Sequence, residues 1–256
     1  MIQELLGHSQ SYFNLIDKLD WYFMPVMNPD GYVHSNHSKK DRCWRKSRSC
    51  YDRFTCLYGG ECTGVDLNRN WGYKWNLGDD QPCHETYRGP EPFSEIETRN
   101  VRDFILAHKD KIKFFNTLHS FGQYILLPWS YTNEPPTYPT YNRTFELAQK
   151  GNEALRKVHG TNYTIGNGKN LINYYAYGVS TDWALGEAEI PYVMCMELPP
   201  NCDKNDPYYL DCMGYGKECG DGFLLPMKRI KPTAEEVWAF HEEVAKSLIE
   251  ESQSVP

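Results

Sequence analysis

The apolar positions of this chain recur with two periods, and the period decides which element each stretch predicts. In residues 2–19, Ile2, Leu5, Leu6, Tyr12, Phe13, Ile16 and Leu19 fall near helical spacing, so one amphipathic helix is expected to open the chain. Residues 21–27 read as a buried strand stopped by the turn sequence Asn28-Pro29-Asp30-Gly31. The stretch 33–62 is polar and rich in Ser, Arg and Cys, which predicts a long loop held by disulfides or by function. Ser94 with Glu97 has the spacing of a capping box, ahead of a helix carrying Ile96, Val101, Phe104 and Ile105. Strands are predicted at 114–118 and 124–128, and a helix over 141–158, followed by an irregular segment containing Gly and Asn. A short helix near 181–185, the strand Tyr192–Leu198 and a last helix from Thr233 complete the pattern; the last places Val237, Phe240, Val244 and Leu248 on one face.

Helices alternating with strands predict an α/β domain over residues 1–256, with a mixed, mostly parallel central sheet and helices on both faces. In such sheets ligands gather beyond the carboxyl ends of strands. Asn28-Pro29-Asp30, His119 and Glu197 all fall at predicted strand ends.

Composition narrows the function classes. With 256 residues and 40% hydrophobic content the chain can bury one good core. A net charge of −7, with Lys and Arg scattered among acids, gives no basic face for nucleic acid, and no apolar stretch reaches membrane-spanning length. Nine cysteines without a Cys-x-x-Cys spacing favour an oxidising compartment, as do the sequons at Asn36, Asn142 and Asn162. Met1-Ile2-Gln3-Glu4 has neither the basic nor the apolar part of a signal peptide, so the expectation is a secreted protein whose N-terminus lies outside this sequence.

Four polar clusters carry the chemistry. Glu197 closes the apolar run Tyr192-Val193-Met194-Cys195-Met196, where partial burial would raise its pKa toward that of a general base; position alone favours a strand-end acid in water. His119 ends another apolar run, and a neutral imidazole there is either a metal ligand or a hydrogen-bonded structural residue. Arg69 beside Asn68 is suited to fork onto a carboxylate. Arg45 can polarise a carbonyl or hold an oxyanion, although the run from Arg42 to Arg48 also reads as a solvated basic loop.

Together, Trp44-Arg45-Lys46, Val65-Asp66-Leu67-Asn68-Arg69-Asn70-Trp71, His119-Ser120 and Glu197 resemble the zinc metallocarboxypeptidases of the carboxypeptidase A/B type. The resemblance implies removal of C-terminal residues from peptides and proteins, with Glu197 and Arg45 as catalytic residues and His119 as a zinc ligand. It implies that Asn68 and Arg69 clamp the free C-terminus, and that Tyr174 covers it, with Tyr175 as an adjacent rival. Thr181 would lie at the base of the side-chain pocket, where its lack of charge favours neutral C-terminal residues, with Val179, Ser130 and Cys195 around it. Cys62 and Cys83 would form the family disulfide, and Asp66 would orient a zinc-binding histidine. The family also places a His-x-x-Glu pair on the metal, and no His-x-x-Glu occurs in this sequence. The sheet is therefore expected to be truncated at its N-terminal edge, and the chain as given to retain no zinc and be inactive. The alternative is a non-catalytic extracellular binder of peptide C-termini; a structural protein built on the cysteine-rich loops is a third reading.

Overall fold

The computed structural model describes residues 1–7, 12–50, 57, 59–136, 139–201 and 222–254. Its helices are α1 (Ile2–Gly7), α2 (Phe13–Lys18), α3 (Pro29–Ser35), α4 (Ile96–His108), α5 (Pro139–His159), α6 (Gly168–Ile172), α7 (Ser180–Gly186) and α8 (Met227–Ser254). The strands are β1 (Phe114–Ser120), β2 (Tyr124–Leu127), β3 (Thr164–Asn167) and β4 (Tyr192–Leu198), in the order β1-β4-β2-β3. β1 runs parallel to β4 and β2 parallel to β3, while β2 is antiparallel to β4, so the sheet is mixed and mostly parallel.

Strand β4 explains the two layers of helices. Its alternate residues Tyr192, Met194 and Met196 join Ile125 and Leu127 in a core sealed by Leu147, Ala148 and Leu155 of α5 and Val237, Phe240 and Val244 of α8. Val193 points the other way, into Trp71, Phe93, Ile105 of α4 and Trp183 and Ala184 of α7. Burying each such side chain contributes about 1.5–3 kcal/mol, so the sandwich is held from both faces of one strand.

The structure departs from the sequence pattern where the pattern alone could not supply a partner. Residues 2–19 form two short helices rather than one, with residues 8–11 outside the described residues. Only part of the predicted face is used: Leu5 packs with Tyr12 and Leu19 on Trp238 and Ala245, whereas Ile2, Phe13 and Ile16 are exposed and Leu15, outside the predicted set, is buried in the second helix because Trp238 and Ala245 lie on that side. Residues 21–27 form no strand: a strand needs a neighbour to complete its ladder, and among the described residues none runs beside them. The predicted turn at 28–31 is instead a helix start, with the Asn28 side chain accepting from the Gly31 amide at 3.0 Å and Pro29 occupying the first turn of α3. That helix takes the first residues of the expected long loop; beyond it, Cys43 and Cys50 are disulfide-bonded. The capping box of Ser94 and Glu97 does not form, because Ser94 Oγ donates to Glu95 Oε1 at 2.9 Å and α4 begins at Ile96 without a side-chain cap. The irregular segment contains β3 and α6, and the last helix begins at Met227, six residues before Thr233, with Pro232 inside it.

Candidate carboxylate site at the strand ends

The parallel pairing of β1 and β4 sets His119 opposite Glu197, so both lie at one level near the carboxyl ends of their strands. Burial pushes His119 down to about 4, with Arg45 adding to the effect, so its imidazole is neutral at pH 7. Burial pushes Glu197 up to about 7, against the pull of Arg45 and Arg69.

The arginines are organised by one buried acid. Asp66 accepts the Asn68 amide at 2.9 Å through Oδ1 and so caps the short helical turn Leu67–Arg69. Its Oδ2 accepts Arg45 Nε at 2.7 Å and lies 3.9 Å from Arg69 Nη1. Burial alone would raise the Asp66 carboxyl, but Arg45 and Arg69 outweigh it and hold the group below the usual carboxylate range. Arg69 Nη1 also donates to the Asn68 carbonyl at 2.8 Å, and its Nη2 lies 3.4 Å from the Tyr174 hydroxyl. Tyr174 is 52% exposed with its hydroxyl beside the buried guanidinium, while Tyr175 stacks with Tyr177.

The turn is gripped from a distant part of the chain. Asn68 Oδ1 accepts the Ser180 amide at 2.9 Å, and the Trp71 amide donates to the Gly178 carbonyl at 3.0 Å. Gly178 has φ +63°, and a Cβ there would stand 2.3 Å from the Arg69 carbonyl oxygen, so this close approach requires glycine. Beyond it, Val179, Thr181, Ser130 and Cys195 are buried. Asp182, next to Thr181, accepts the Ser130 amide through both carboxylate oxygens at 3.0 and 2.9 Å, and burial still pushes it up to about 7. The Cys62–Cys83 disulfide is formed and closes the loop that contains the turn.

Of the seven site residues singled out from the sequence, hydrogen bonds and charge interactions link Arg45, Asn68, Arg69, His119, Tyr174 and Glu197, while Thr181 is buried in the neighbouring α7. Sequence reasoning assigned no contact with the clamp to Gly178 and no role in the site to Ser180 or Asp182. A glycine amid Tyr174, Tyr175 and Tyr177 was the available signal for the first; a backbone amide such as that of Ser180 leaves none. The inventory is two guanidinium groups against one firmly ionised acid, with Glu197 and Asp182 holding protons up to near neutral pH. Such a site can bind a monoanion and exchange a proton with it.

A three-ligand zinc centre does not fit these residues. His119 Nε2 faces the Asn68 amide nitrogen at 3.4 Å, Asp66 is engaged by Arg45, and the described residues contain no group of three His, Cys, Asp or Glu able to hold a metal ion.

Residues 1–240 match the peptidase family described as zinc carboxypeptidase. Carboxypeptidase B of Astacus astacus is 38% identical over 241 residues, spanning 93% of this chain and 70% of the relative. Carboxypeptidase A2 of Rattus norvegicus is 39% identical over 236 residues, and there the chain spans 49% of the relative's length. Among solved structures, carboxypeptidase A from Helicoverpa armigera superposes with a TM-score of 0.79 at 29% identity, covering 96% of this chain and 55% of that one. Bovine thrombin-activatable fibrinolysis inhibitor, in complex with tick carboxypeptidase inhibitor, gives a TM-score of 0.76 at 32% identity, covering 96% of this chain and 76% of that one.

Proposed function

Because this chain belongs to the zinc carboxypeptidase family, we propose that its site receives the free C-terminus of a peptide, the group from which carboxypeptidases cleave a residue. The observation that carries this reading is the excess positive charge around Asp66: Arg45 and Arg69 share a single ionised acid. A peptide carboxylate balances that charge and can take paired hydrogen bonds from a guanidinium. Arg69, with the Asn68 side chain beside it, is assigned to the carboxylate. Tyr174 is assigned to cover it, because its hydroxyl already reaches Arg69 and its ring is open to solvent. Arg45 is assigned to the carbonyl of the last peptide bond. Its Nε is taken by Asp66, and its terminal nitrogens carry no hydrogen bond among the described residues. Glu197, at about 7, is assigned to proton transfer. Thr181 is assigned to the floor of the side-chain pocket, where it offers no charge.

Among the described residues His119 is the one metal ligand that the family resemblance implies, and the site around it does not fit zinc. These 256 residues are accordingly proposed to bind peptide C-termini without cutting them. The engagement of Asp66 by Arg45 favours this reading, since the acid is committed to the clamp and not to an imidazole. The disulfide at Cys62–Cys83 supports an oxidising, extracellular setting.

Calorimetric titration with a peptide ending in a free leucine carboxylate, and with the same peptide as its C-terminal amide, tests the proposal. The acid is expected to bind at least a hundredfold more tightly, and Arg69→Met to abolish the difference. Equal affinity for acid and amide would overturn the assignment.

A further inference from the structure

Lys46 follows Arg45 in the chain, and the sequence presents it as one more exposed base in a basic loop. In the structure it is 3% exposed, and its Nζ donates to the carbonyl oxygens of Glu61 at 2.6 Å and Pro82 at 2.7 Å. It has no ion-pair partner among the described residues. The two carbonyls occupy equivalent places: each belongs to the residue immediately before a half-cystine, and the Cys62–Cys83 bridge holds them together. The ammonium thus sits in a cage whose walls are joined covalently. Burying a charge without a counter-ion is costly unless its hydrogen bonds are met, so the cage has to keep its shape for Lys46 to stay in place.

The backbone at Lys46 is bound on its other sides to the clamp. The Asn28 side chain donates to the carbonyls of Arg45 at 3.2 Å and Lys46 at 3.0 Å. The Ser47 amide donates to the Val65 carbonyl at 2.8 Å, and the Val65 amide returns a bond to Ser47 Oγ at 3.0 Å. Val65 precedes Asp66, the acid that receives Arg45 Nε. A Cβ on Gly64 would lie 1.9 Å from the Ser47 carbonyl oxygen, so the two segments touch backbone to backbone. Movement of the Lys46 peptide therefore moves both partners of the Arg45–Asp66 pair.

We propose that Lys46 is a positioning residue: its ammonium, caged beside the Cys62–Cys83 disulfide, fixes the backbone that aims Arg45 at Asp66, so that bridge and clamp work as one unit. The inference rests on the carboxylate-binding reading given above. The acid and amide peptides serve again as probes, with Lys46→Met, which keeps the length and removes the charge, with the C62A/C83A pair, and with all three changes combined. Folding of each variant is followed by circular dichroism. Lys46→Met is expected to lower the acid-over-amide preference about tenfold while the protein stays folded. C62A/C83A is expected to do the same, and the triple variant to be no worse than either. A purely structural lysine would lower thermal stability and leave the preference intact; that result, or losses that multiply to about a hundredfold in the triple variant, overturns the proposal.

A second measurement needs no ligand. Acylation by an amine-reactive ester, located by peptide mass mapping, is expected to spare Lys46 in the native protein and to modify it in C62A/C83A as fast as the exposed Lys74. Equal protection with and without the bridge overturns the coupling. Absence of any acid preference in the unaltered protein would instead sink the carboxylate reading, and the labelling result would still decide whether the bridge holds Lys46. If Lys46→Met does not fold, the preference of C62A/C83A decides: retained, it overturns the proposal; lost, it supports it.

Discussion

Replacing Asp66 by Asn is expected to destabilise the fold by about 3 kcal/mol, because two guanidinium groups lose the carboxylate they share. Asp66 is 2% exposed and Arg69 6%, so neither can reach water without local unfolding. Asn keeps the volume and an oxygen that can still accept the Asn68 amide, which isolates the charge as the quantity removed. At an effective dielectric of about 20, the pair at 2.7 Å attracts by roughly 6 kcal/mol and the pair at 3.9 Å by roughly 4. Most of that attraction offsets the cost of burying the charges, and breaking such a pair by removing one partner costs about 3–5 kcal/mol. The Arg45 side chain is 35% exposed and can turn to solvent, which places the expectation at the lower end. For a chain of this length the melting temperature should fall by roughly 6–12 °C. The sign of the pH dependence is fixed as well. The folded Asp66 carboxyl lies below its usual 3.8, so its contribution is complete above that value and is lost as pH falls through the folded value. Urea unfolding should therefore show the same gap between the two proteins at pH 5 and pH 8. Arg45→Met, alone and combined with Asp66→Asn, completes a double-mutant cycle. A loss below about 1 kcal/mol, or additive effects around the cycle, would refute the shared-acid argument.

Glu197, raised to about 7 by burial, binds its proton more tightly folded than unfolded, so its contribution is complete below about pH 4.5 and is lost as pH rises through 7. Glu197→Gln should gain on the parent between pH 5 and pH 8, by about 1–2 kcal/mol after allowing for partial exposure, and parallel stability curves would contradict this. Metal analysis after dialysis should find no stoichiometric zinc, since one imidazole binds far more weakly than a three-ligand site; one zinc per chain, lost in His119→Ala, would reveal a centre that this geometry lacks. Gly178→Ala puts a Cβ 2.3 Å from the Arg69 carbonyl oxygen in a left-handed conformation, at a cost of at least about 1–2 kcal/mol, with weaker binding of the acid peptide. An unchanged melting temperature would speak against it. Among peptides ending in Leu, Phe, Lys or Glu, neutral ends should bind best, because Thr181 gives a buried Lys no counter-charge. A preference for Lys or Glu would rule that pocket out.

The sequence determined by itself whatever depends on neighbours along the chain. The run Tyr192–Leu198 is strand β4 with the predicted limits, and the helical spacing around 141–158 and beyond Thr233 marked α5 and most of α8, because helix bonds close within four residues and leave their period in the apolar positions. The motifs around Arg45, Asn68, Arg69, His119 and Glu197 brought those residues forward as a set only through their resemblance to the metallocarboxypeptidases. The tertiary structure decided what depends on partners far away in sequence. Residues 21–27 have strand-like composition and form no strand, whereas Thr164–Asn167, with little apolar signal, pairs with β2 because that neighbour supplies the hydrogen bonds. The resemblance picked Tyr174 but left Tyr175 as a rival; the path of the chain past Gly178 sets the Tyr174 hydroxyl beside Arg69. Asp66 takes Arg45 as its partner and Lys46 is buried rather than solvated, since burial and counter-charge are set by contacts across 21, 15 and 36 residues of chain. Protonation follows the same rule: the strand end made Glu197 a candidate base, but only the packed environment, with its lost water and its two arginines, brings its pKa to about 7.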